Sequence, residues 1–127
     1  MKRHATLQDL SREHHTALKL ALDAKRAAQA GEPARVQALA QACAELFPRE
    51  LEPHFVVEEV DLLPLLAQAG EDALVARTRH EHAQLRALAA QLPGADAALL
   101  LRFAELLAEH VRFEERELFE VAQAHFA

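Results

Sequence analysis

Tryptophan and tyrosine are missing from the 127 residues, and cysteine occurs once. A single thiol, Cys43, excludes an internal disulfide and fits a reducing cytoplasm. The opening residues MKRHATLQDL are too polar for a signal peptide, which supports the same location. β-Branched residues are sparse, and alanine and leucine supply most of the 51% hydrophobic fraction, a mixture that favours helices over sheets. Basic runs are short: Lys and Arg never stand more than two together, and the formal net charge is -6. Nucleic acid is therefore excluded as a partner, whereas a metal cation is a natural guest. No apolar run approaches the roughly 18 residues that a membrane span requires.

Glycine is scarce too, and the three present punctuate the chain. Gly31, followed by Pro33, closes a first helix of about residues 6–30 in which Thr6 or Ser11 is a candidate cap. Gly70 closes a second helix that starts near residue 34, and Pro93-Gly94 stops a third of about 71–92. Asp96 can cap a fourth that runs almost to the C-terminus. The expected fold is all-α: one domain over residues 1–127, an up-down-up-down four-helix bundle. Pro48, Pro53 and Pro64 each remove a backbone donor from the second helix, so a kink or break is expected near Pro48 to Pro53.

What the sequence does contain, it writes twice. EPHFVVEEVDLLPLL and EHVRFEERELFEVA share a His-x-x-x-Glu-Glu pattern with a leucine eight residues after the histidine: His54, Glu58, Glu59 and Leu62, then His110, Glu114, Glu115 and Leu118. REHHTALK in the first helix and RHEHAQLR in the third align Arg12, His15, Leu18 and Lys19 with Arg79, His82, Leu85 and Arg86. The chain therefore reads as two similar helical hairpins, each with a histidine on its first helix and His-x-x-x-Glu on its second. His14 and His80 are alternatives to His15 and His82, which the alignment of the repeat favours. His4 and His125 lie near the termini and are expected in solvent.

Positions four apart lie about 40° apart around a helix, so His54 with Glu58, and His110 with Glu114, can grip one object together. Leu62 and Leu118 share that face, which turns both pairs inward. A lone buried carboxylate costs several kcal/mol unless a charge or metal compensates it. A pair of divalent cations resolves the conflict, and four imidazoles with two carboxylates suit iron, manganese or zinc. Glu59 and Glu115 are about 100° off this face, a position for supporting or surface charges rather than ligands. Phe47, Phe55, Phe103, Phe113 and Phe119 read as core, as does Cys43.

These residues give the chain a resemblance to the hemerythrin family, in particular its bacterial HHE cation-binding domains. The family pattern H…HxxxE…H…HxxxE is met by His15, His54, Glu58, His82, His110 and Glu114, and it covers essentially the whole chain. The resemblance implies a four-helix bundle around two non-haem iron ions, with the two glutamates and an oxo or hydroxo group bridging them. It also implies a small ligand such as dioxygen, peroxide or nitric oxide. The oxygen-carrying members place a further histidine four residues before the third-helix ligand, where this chain has Thr78. They also carry an aspartate five residues after the last histidine, where this chain has Glu115 beside Glu114. The missing histidine implies an additional open or water-filled position on one iron. Oxygen binding, sensing or defence against reactive species is the expected function. An enzyme turning over peroxide or nitric oxide, or an iron-storing bundle, is the alternative.

Overall fold

In the computed structural model, which describes residues 3–126, four helices account for nearly all of the chain, and no strand occurs among the described residues. The first helix is Ala5–Ala30, the second spans residues 33–68, the third is Asp72–Gln91, and the fourth spans residues 97–126. Short turns join them, so sequential helices run antiparallel as in an up-down-up-down bundle. Met1, Lys2 and Ala127, which the expected domain includes, lie outside the described residues. No described helix is long and apolar enough to cross a membrane.

The first helix is capped by His4, whose Nδ1 accepts from the Thr6 amide at 3.3 Å. Thr6 and Ser11, the caps expected from sequence, both lie inside the helix. Gly31 ends it in the left-handed conformation at φ 72°, which a side chain would strain. Asp96 caps the fourth helix as anticipated, its Oδ1 accepting from the Leu99 amide at 2.9 Å.

The second helix does not break at its prolines. It passes through two π-helical turns, Phe47–Leu51 and Glu58–Leu62, and stays helical from end to end. In the first, the Glu52 amide reaches back five residues to the Phe47 carbonyl. The extra residue in each turn shifts the hydrogen-bond register directly before Pro53 and Pro64, which cannot donate. A third π turn, Glu114–Leu118, sits in the fourth helix at the matching point of the repeat, with no proline nearby. The turn therefore belongs to the repeated motif and not to the prolines alone.

Packing divides the interior into two apolar clusters. One gathers small and large residues such as Ala21, Ala24, Leu85, Leu100, Phe103 and Leu107. The other holds Leu7, Leu10, Leu62, Leu66, Leu118 and Phe119. The sequence positions between them belong to a buried polar layer of His14, His54, Glu58, Thr78, His82, His110 and Glu114. All five phenylalanines expected in the core are buried, as is Cys43, where burial pushes the thiol up to about 12. Leu22, by contrast, is 47% exposed.

Candidate metal centre

Each helix sends one imidazole into the polar layer, and the second and fourth each add a carboxylate. The first helix delivers His14, not His15. Its buried stripe is Leu7, Leu10, His14, Ala17, Ala21, Ala24 and Ala28, spaced alternately three and four apart, and His15 lies one residue off that stripe at the surface. The expectation of His15 rested on a leucine three residues on, but Leu18 is only half-buried, and the true seam is built from alanines. On the third helix His82 is buried and His80 exposed.

The corrected residue also corrects the repeat. The unit shared by the first and third helices is the dipeptide Glu-His, Glu13-His14 and Glu81-His82, one position out of register with the alignment of arginines and leucines. Both glutamates of that unit have a role that sequence reasoning missed. His54 Nδ1 donates to Glu13 at 2.7 Å, and His110 Nδ1 donates to Glu81 at 2.7 Å. The glutamates that follow the inward pair do the same for the other two imidazoles: His82 Nδ1 donates to Glu59 at 2.7 Å and His14 Nδ1 to Glu115 at 2.6 Å. A carboxylate only accepts, so each contact fixes a proton on Nδ1 and turns Nε2 inward.

Inside this ring, Glu58 and Glu114 meet all four Nε2 atoms. Glu58 lies 3.2 Å from His54 and 3.0 Å from His82, while Glu114 lies 2.8 Å from His14 and 3.1 Å from His110. Two overlapping sets result, His14-His54-Glu58-Glu114 and Glu58-His82-His110-Glu114, and within each the ligand atoms lie within 4.8 Å of one another. Both glutamates are common to both sets. The Nε2 atoms of His54, His82 and His110, both oxygens of Glu58 and one of Glu114 have no hydrogen-bond partner, although all are buried. Buried polar atoms without partners are rare in folded proteins, and six converging on one point fit a cation.

Electrostatics in the metal-free cluster follow from the same contacts. Burial disfavours imidazolium, but the carboxylates of Glu58 and Glu114 packed against the rings outweigh it. His54 is pushed up to about 11, His82 to about 9 and His110 to about 10, and His14 moves the same way. Burial and the neighbouring Glu114 raise Glu58. Burial acts upward on Glu114 as well, yet His110, His14 and His54 hold it well below the usual carboxylate range.

Aromatic rings close the layer: Phe55 stacks on His82 at 3.9 Å, and Phe119 on His14 at 5.2 Å. Thr78, one helical turn before His82, is fully buried, and its hydroxyl donates to the Leu74 carbonyl at 2.8 Å. His4 and His125 stay exposed.

A family model described as the hemerythrin HHE cation binding domain matches residues 5–122. No curated protein and no solved structure matches the chain.

Proposed function

The chain belongs to the hemerythrin HHE cation-binding domain family, and from that premise we propose that it holds two non-haem iron ions and uses them to bind dioxygen or a related small species. The observation that carries this reading is the pair of overlapping ligand sets that share Glu58 and Glu114. Each set offers two imidazoles and two carboxylate oxygens, a mixed N/O donor set suited to iron, and no thiolate is near. His14 and His54 would hold one ion, His82 and His110 the other, with both glutamates between them. Two adjacent redox-active ions, when bound, would supply the electrons for chemistry with dioxygen, peroxide or nitric oxide, which these side chains cannot supply alone.

The protein's own contribution is placement. Glu13, Glu59, Glu81 and Glu115 fix the imidazole orientation, while Phe55 and Phe119 limit water around the rings. Thr78 supports a second reading, in which the centre turns over peroxide or nitric oxide. This threonine stands where the oxygen-carrying members have an imidazole, and its short side chain points its hydroxyl at the Leu74 carbonyl, so the His82 side would have one imidazole fewer and a coordination position there would be left to water or an anion.

Anaerobic reduced protein mixed with oxygen separates the two readings. The reduced protein is expected to be oxidised by oxygen without returning to the reduced state when oxygen is removed, and Thr78→His to slow that oxidation, followed by near-ultraviolet and visible absorption. A wild-type adduct that reverts fully to the colourless reduced state when oxygen is removed would restore plain oxygen carriage.

A further inference from the structure

The ligand ring repeats from one half of the molecule to the other, but the layer behind it does not. Three of the four carboxylates that orient the imidazoles are themselves held. Arg86 grips Glu59 at 2.9 Å and Glu52 at 2.7 Å together, and Arg77 donates to Glu81 at 2.9 Å while lying 3.9 Å over the Phe113 ring. Glu115 accepts from Ser11 at 2.9 Å and lies 3.8 Å from Arg3, which also donates to its backbone carbonyl at 3.0 Å. Glu13 is different. Among the described residues its one partner is His54, and its side chain is 56% exposed.

Glu13 also stands on the rim of a cavity of about 220 Å³. His14, His54 and His110 form the inner end, and Arg49 and Glu50, of opposite charge, share the rim with Glu13. Elsewhere the cluster is sealed, with Glu58, Glu114 and His82 at 0% exposure. An ion must nevertheless reach six inward-facing donors through a closed bundle. Swinging His82 or His110 aside means breaking a hydrogen bond to a carboxylate that an arginine holds in place and that cannot follow the ring. Swinging His54 means releasing only one exposed carboxylate.

We infer that this cavity is the path by which metal ions enter and leave the centre, and that Glu13 is the positioning residue that latches His54 across it. The inference rests on the two-ion reading above. It makes the two ions unequal in rate although their ligand sets are alike: the His14/His54 ion exchanges first, and the His82/His110 ion follows behind the arginine-held wall.

Cobalt(II), loaded into the full chain and withdrawn by a chelator, provides the test, with visible absorption and metal analysis as readouts. Release is expected in a fast and a slow phase of equal amplitude. Glu13→Gln leaves an amide oxygen to accept from His54 but removes the charge, roughly halving that hydrogen bond, and should speed loading and release of the fast ion by about five- to tenfold. Its affinity should fall by less than Glu81→Gln lowers it, because loading accelerates along with release. Glu81→Gln should instead weaken affinity by about 10- to 100-fold, as loss of an outer hydrogen-bond partner does at metal sites generally. Thr16→Trp, at the rim, should slow loading. A single phase for both ions, or Glu13→Gln acting as Glu81→Gln does, overturns the inference. Failure to take up two cobalt ions would sink the two-ion reading instead. In that case imidazole proton exchange in metal-free protein decides the latch: the His54 Nδ1 proton must exchange faster than those of His82 and His110, and equal rates overturn it.

Discussion

His14 and His15 differ by one position along the first helix and by nearly all of their burial. His14 stacks on Phe119 and approaches Glu114 through Nε2, while His15 is exposed. His14→Ala is therefore expected to lower metal content towards one ion per chain, and His15→Ala to leave it unchanged, by metal analysis of purified protein. Equal losses would return the assignment to the surface residue. A second residue-scale expectation concerns pH. From ordinary imidazole values, metal should be lost only below about pH 6. The buried glutamates alter this. His54, His82 and His110 have folded values raised to about 11, 9 and 10, so in metal-free protein their protonation stabilises the fold fully below the unfolded value of about 6.5. That contribution is lost as pH rises through the folded values, from about 9 to about 11. Metal competes with those protons, so loading at pH 7 should release protons, and apparent affinity should keep rising towards pH 9. Metal titration in weak buffer with a pH electrode checks this, and loading without proton release would contradict it.

At the scale of elements, the π turns are the feature of interest. Glu58 and Glu114 each open one, and the Leu63 and Phe119 amides reach back five residues to their carbonyls. In the second helix Pro64 follows directly. In the fourth the matching position is Glu120, and the nearby Glu115 carbonyl accepts from Arg3. Because the register is already shifted there, Glu120→Pro should cost well under the ~3 kcal/mol of a proline inside a helix. Its melting temperature should fall far less than that of Leu106→Pro, and equal falls would show the π turn to be no accommodation. This is also the scale at which the sequence was most and least legible. Glycine, proline and Asp96 marked all four helices, because helix ends have specific backbone chemistry. The π turns left no separable signal: prolines accompany two of them and not the third. The inward face of His54, Glu58, His110 and Glu114 was legible because His-x-x-x-Glu defines a face. The inward histidine of the first helix was misplaced because alanines form its seam, and the contacts of Glu13 and Glu81 were missed because their partners lie on other helices.

Across the whole molecule, a polar layer interrupts what would otherwise be one continuous core. Two carboxylates and four imidazoles are buried between the apolar clusters, and six of their atoms have no partner. Cations held by that layer strengthen the bundle, since a ligand that binds only the folded state stabilises it by about 2.7 kcal/mol at a hundredfold excess over its Kd. Loaded protein should thus melt at a higher temperature than metal-free protein at the same pH, and equal melting temperatures would indicate a purely structural bundle.

The central claim is that Glu58 and Glu114 are shared by two ions. Iron content per chain, measured on wild type, Glu58→Ala, Glu114→Ala, Glu59→Ala and Glu115→Ala purified without chelator, tests it most directly. Two irons per chain are expected in wild type, with a sharp loss in each of the first two variants and smaller losses in the last two. One iron per wild-type chain, or equal losses in all four variants, would contradict it.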